Sequence, residues 1–91
     1  MSDHWEVAFS ATARRPLGQL PEKVATSVIE FIYGRLAENP LRVGRALRFE
    51  LEGLHSARRG DYRLIFAVEV DSRRVTIRAL EHRSDVYRLR N

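Results

Sequence analysis

Residues 62 to 80 constrain the fold more than any other stretch of this chain. Tyr62, Leu64, Phe66, Val68 and Val70 alternate with Arg63, Ile65, Ala67 and Glu69, the two-residue period of an extended chain that buries one face. Asp71-Ser72-Arg73-Arg74 follows as a polar turn, and Val75 to Leu80 is an apolar run that returns. Two strands cannot shield their own apolar face from water, so the remaining residues must supply more strands and a cover. Leu54 to Arg58 reads as a short edge strand before the hairpin. Trp5-Glu6-Val7-Ala8-Phe9 reads as a strand near the other end of the chain.

The cover is legible between those strands. Ser10 or Thr12 is placed to cap a first helix running through Arg14, Arg15, Leu17 and Leu20. Pro16 is tolerable there only in the first turn, where little hydrogen bonding is lost. A second helix starts at Pro21. Val24, Val28, Phe31 and Ile32 recur at helical spacing, and Ala25, Ile29 and Leu36 widen the apolar face. Glu22 and Arg35 suit the two ends of its dipole, and Asn39-Pro40 ends it. Residues 41 to 53 form a basic connector in which Arg42, Arg45 and Arg48 stand three apart. They lie either on one side of a helical turn or in a solvated loop. The order β-α-α-β-β-β predicts one α+β domain over residues 1–91, with a helical hairpin packed on an antiparallel sheet.

Charge narrows the function. The net charge is +4, and of the sixteen basic residues only Lys23 is a lysine. Such a chain suits a polyanion or an acidic protein, and arginine adds a planar fork of donors that matches phosphate. The absence of cysteine removes disulfides and thiolate metal sites, and His4, His55 and His82 are too scattered for a metal centre. No glycine-rich phosphate loop is present, so no cofactor is expected. No apolar run reaches the length of a membrane span, and Met1-Ser2-Asp3-His4-Trp5 does not read as a signal peptide. A cytoplasmic location is the expectation.

Arginines flank the hairpin on both sides, in Gly53-Leu54-His55-Ser56-Ala57-Arg58-Arg59-Gly60-Asp61-Tyr62-Arg63 and in His82-Arg83-Ser84-Asp85-Val86-Tyr87. Pairing of the strands brings the two clusters together. Metal-free RNA cleavage uses the 2′-OH as nucleophile. It needs cations on the phosphorane, a base, and an acid for the leaving 5′-oxygen. Arg63 is assigned to the scissile phosphate; the bland alternative is an ion pair with Asp61 or Asp85. Arg58 and Arg59 are assigned to neighbouring phosphates, the alternative being a solvated turn. Arginine stays protonated, which leaves Tyr87 and His82 as proton carriers; the alternatives are a tyrosine that stacks on a nucleobase or packs the tail onto the sheet, and a strand-end histidine bonded to backbone. Arg45, Arg48 and His55 complete the expected RNA contacts. Glu50 and Glu52 more simply hold arginine side chains.

The element order, together with Leu20-Pro21, Asn39-Pro40, Gly53-Leu54, Gly60-Asp61-Tyr62-Arg63 and His82-Arg83-Ser84-Asp85-Val86-Tyr87, resembles the RelE/ParE superfamily of bacterial toxins over nearly the whole chain. Within it the sequence looks like the RelE branch. The resemblance implies the compact fold of small microbial ribonucleases and a toxin of a type II toxin–antitoxin pair. It further implies an endoribonuclease that cuts messenger RNA, in many relatives only on the ribosome. A cognate RelB-like antitoxin would cover the basic groove, and promoter DNA would be touched only through that antitoxin. Arg63 matches the family's arginine after tyrosine, Tyr87 its C-terminal tyrosine, Arg83 the arginine four before it, and Arg58 its basic strand. Leu54 and Ser56 stand where many relatives carry Lys or Arg. Glu81 stands where the best-known pattern has Arg, with Arg59 and His82 as neighbours that could compensate. The alternative within the superfamily is a ParE-type inhibitor of DNA gyrase without nuclease activity. Outside it, the alternative is an inactive RNA-binding domain.

Overall fold

The computed structural model describes residues 4–48 and 52–83. Five strands, β1 (Glu6–Phe9), β2 (Arg45–Ala46), β3 (Leu54–Arg59), β4 (Tyr62–Glu69) and β5 (Arg74–His82), form one sheet in the order β1-β5-β4-β3-β2. The expected antiparallel sheet is there from β2 to β5. β1 joins its far edge parallel to β5, so the whole sheet is mixed. A strand reached through a long helical connection is not bound to the antiparallel geometry that a tight hairpin imposes.

Helices α1 (Ala11–Gly18) and α2 (Glu22–Phe31) follow β1, and α2 continues through a π-helical turn at Ile32–Leu36. Val28, Ile32 and Leu36 are all buried on this helix, each four residues from the last. Residues four apart drift around a 3.6-residue helix. The wider π turn absorbs that drift and keeps Leu36 in the core. Asn39 then leaves helical geometry, and Pro40 opens the short helix α3 (Pro40–Val43). The connector is therefore neither a single helical turn nor a plain loop. Arg42 lies in α3, Arg45 in β2 and Arg48 beyond it.

The core forms between α2 and one sheet face, from Val28, Phe31, Ile32 and Leu36 against Leu64, Phe66, Val75, Ile77 and Leu80, with Ala13 and Ala57 at its margins. Gly44, at the exit of α3, passes against the Phe66 ring: a Cβ there would collide with it and lie 3.1 Å from the Pro40 carbonyl oxygen. Gly60 has φ +63° and opens the two-residue turn between Arg59 and Tyr62, a position that glycine takes without steric cost. Pro16 lies in the second turn of α1 rather than the first. It removes one intrahelical bond, from its own position to the Thr12 carbonyl, and Thr12 is exposed, so water can take that acceptor. Among the described residues no helix is long and apolar enough to cross a membrane.

β5 departs from regular pairing with β4 at one point. Ile65 pairs with Ala79 but Phe66 pairs with Ile77, which leaves Arg78 as the extra residue of a β-bulge. Ser10 pins it. Its backbone N–H donates to the Ile77 carbonyl at 2.9 Å and its hydroxyl to the Arg78 carbonyl at 3.0 Å. The same hydroxyl oxygen accepts from Ala13 N–H at 3.3 Å as the N-cap of α1. Ser10→Ala removes a helix cap and a bulge anchor together. The expected cost is about 1 kcal/mol, read as a melting temperature lower by about 4–8 °C.

Candidate nucleic-acid interface

A bulge reverses the alternation of a strand, because side chains change face every residue and one extra residue moves the rest across. Val75 and Ile77 face the helices. Plain alternation from them would send His82 to the outer face of the sheet and Glu81 inward. With Arg78 as the extra residue, Leu80 and His82 fall on the helix side and Glu81 on the outer side. The register then lines up Arg58 with Arg63 across β3 and β4, and Arg63 with Glu81 across β4 and β5. Arg63 donates to Glu81 Oε1 from Nε at 3.1 Å and from Nη2 at 2.6 Å. Its other guanidinium N–H groups are not used by this bond. Arg58 makes no ion pair among the described residues.

Two arginines directly opposite one another in a sheet are destabilising. Glu81 offsets only one of them. On the outer face Arg45 pairs in register with Ser56, next to Arg58. Val43, Arg45, Ser56, Ala57, Arg58 and Arg63 line a cleft of about 530 Å³. Its three guanidinium groups around one small hydroxyl are a donor set whose chemistry matches an oxyanion that accepts several hydrogen bonds at once.

The other residues singled out from the sequence lie elsewhere. His82 is the register partner of Tyr62 and meets its ring edge-on, centroids 4.9 Å apart. His55 stacks on Phe66 at 5.7 Å. Arg59 reaches α2, where Nε donates to the Ser27 hydroxyl at 3.1 Å. All three are on the helix side, so the sheet separates them from Arg58 and Arg63. Each is a strand neighbour of an outer-face residue, which in an extended chain means the opposite face. Arg48 is exposed past β2. Arg83 is exposed at the end of β5, its backbone N–H bound to the Asp61 carbonyl at 2.8 Å beside the β3–β4 turn. Tyr87, Asp85 and Glu50 lie outside the described residues.

The chain and its fold have counterparts. Residues 7–87 match the family model of the ParE toxin of the type II toxin–antitoxin system parDE. Toxin RelE of Mycobacterium tuberculosis is 51% identical over 88 residues, covering 96% of this chain and 91% of the relative. Toxin RelG of the same organism is 46% identical over 84 residues, covering 92% and 97%. The chain belongs to the RelE/ParE toxin superfamily. A chain in the crystal structure of the M. tuberculosis toxin–antitoxin complex RelBE2 superposes with a TM-score of 0.85 at 45% identity, over 90% of this chain and 94% of that one. The isolated Escherichia coli RelE toxin superposes at 0.71 with 16% identity, over 93% of each chain, which speaks to the fold alone.

In this RelE/ParE toxin, Ser56 and Glu81 matter differently from what the sequence suggested. They stood out only as departures from the basic pattern of relatives. In the structure Ser56 lines the arginine cleft and Glu81 holds Arg63. The available signal was strand parity, counted back from Arg63 to Glu81. It was unreadable without knowing that Arg78 is bulged.

Proposed function

We propose that this toxin is an endoribonuclease that cuts messenger RNA without a metal ion, and that a cognate RelB-like antitoxin neutralises it. The observation that carries this reading is the Arg58–Arg63 cross-strand pair in a cleft shared with Arg45. It is a like-charge arrangement that costs the sheet stability and is relieved by a phosphate. Arg63, held from one side by Glu81, presents its remaining donors to a non-bridging oxygen, and Arg58 and Arg45 supply further positive charge. The 2′-oxygen attacks the adjacent phosphorus. The bond to the 5′-oxygen breaks, leaving a 2′,3′-cyclic phosphate and a 5′-hydroxyl. Both arginines stabilise the extra negative charge of the phosphorane, where fixed donors count most. With His82 on the other face, Tyr87, in the C-terminal segment matched by the family motif, carries the proton: its oxygen takes the proton of the 2′-OH as that oxygen attacks, and a proton returns to the departing 5′-oxygen, so the count balances. The antitoxin reading is supported by the M. tuberculosis toxin–antitoxin complex RelBE2, one chain of which shares this fold at 45% identity.

The family model is described by ParE, which favours one second reading, a gyrase inhibitor that needs no nuclease site. A map of RNA 5′-ends shortly after induction, with plasmid supercoiling from the same culture, separates them. New ends within coding regions at unchanged supercoiling are the expected result. Intact RNA with loss of negative supercoiling would replace the nuclease with the gyrase reading.

A further inference from the structure

The arginine cleft does not stop at the sheet. β2 covers only His55 and Ser56 of β3, so Arg58 stands at a bare stretch of the edge. There it also lines a second cleft, of about 600 Å³, together with Phe31, Arg35, Glu38, Asn39, Arg42 and Val43. Val43 and Arg58 belong to both clefts. The two clefts therefore adjoin at the sheet edge: one opens on the outer face at Arg63 and Arg45, the other lies between α2 and α3 at Arg35 and Arg42, and Arg58 borders both. Arg35, Arg42, Arg45 and Arg58 are exposed and form no ion pair among the described residues. Among the described residues, Glu38 is the one carboxylate in either lining.

We infer that the α2–α3 cleft is a second phosphate-binding subsite, which holds the substrate RNA strand beyond the phosphate that is cut. This inference rests on the nuclease reading above and extends it. Two features select a phosphodiester strand over an acidic helix of a protein partner. A helix needs a row of apolar pockets for its anchors. The α2–α3 cleft offers chiefly charged and amide groups, its phenylalanine being buried in the core. A single strand instead needs a continuous positive track whose forks meet successive phosphates, and the shared Arg58 provides the continuity.

The test compares wild type with the double variant Arg35→Ala/Arg42→Ala in binding 5′-labelled single-stranded RNA, a trinucleotide and a strand of about ten nucleotides, by fluorescence anisotropy across a salt series. Both positions are exposed on helices, where alanine is well tolerated. Arg14→Ala/Arg15→Ala on α1 removes the same charge outside the clefts and serves as the control. Arg63→Ala reports on the first site. Wild type is expected to prefer the longer strand. The cleft variant should lose roughly ten-fold in affinity for it, with the log–log salt slope shallower by about 1.4 for two lost phosphate contacts. The trinucleotide and the control should be unaffected. Equal affinity of wild type for both lengths overturns the subsite, as does an equal loss in the control. If Arg63→Ala weakens both RNAs while the cleft variant weakens neither, only the subsite fails. If Arg63→Ala weakens neither RNA, the nuclease reading fails with it.

Discussion

Arg63→Ala is expected to slow RNA cleavage by about two to three orders of magnitude, the usual loss when one preorganised donor to a developing oxyanion is removed. Growth arrest on induction should vanish with it, and new RNA 5′-ends should fall to background. Stability should change little. The Arg63–Glu81 pair has side-chain exposures of 37% and 29%, and partly solvated pairs contribute about 0–1 kcal/mol. Removing Arg63 also removes the repulsion from Arg58 across the strand pair. A melting curve within a few degrees of wild type, beside lost activity, is the signature of a group that acts on substrate. Arg63→Lys sharpens the comparison. It keeps the charge but loses the planar fork that bonds Glu81 through two nitrogens, so it should recover only part of the rate. Full cleavage by Arg63→Ala would remove Arg63 from the chemistry and shift the phosphate to Arg45 and Arg58.

The largest effect on stability is expected at Phe66, which is fully buried at the centre of the sheet. It stacks on His55 on one side and receives the backbone of Gly44 on another. Phe66→Ala should cost about 3–5 kcal/mol, transfer energy plus the cavity left behind. A chain of 91 residues has only about 5–14 kcal/mol to lose, so urea denaturation should show a midpoint sharply lowered with the slope preserved. Gly44→Ala probes the same contact from the opposite direction. Its Cβ would enter the space of the ring, and overpacking of this kind costs about 1–3 kcal/mol. In a Phe66→Leu background the collision with the ring disappears. The two changes together should then cost less than the sum of their separate effects, the non-additivity expected of touching residues.

The site divides along a line that a single residue draws. The sequence places arginines at both ends of a strand hairpin, and the structure does bring Arg58, Arg63 and Arg45 to one cleft. Arg59, His55 and His82, expected beside them, are on the other face. For Arg59 the reason is the simple alternation of β3. For His82 it is the bulge at Arg78, held by Ser10 from 68 residues away in sequence, so no window around His82 contains the information. The same bulge turns Glu81 from a missing arginine into the partner of Arg63.

Sequence alone determined the elements and their order: the alternation of β4, the apolar stripe of α2, the stop at Asn39-Pro40, and the glycine-led turn before Tyr62. These depend on periodicity and on local backbone preference, which are properties of neighbours in the chain. It also carried enough motif content to indicate the family. Tertiary structure decided the direction of β1, the π turn that aligns Val28, Ile32 and Leu36, the pairing of Arg45 with Ser56, and which face each residue after Arg78 presents. Those depend on register between segments far apart in sequence. A one-residue change of register exchanges the two faces of a strand at little local cost, so only the packed sheet could choose between them.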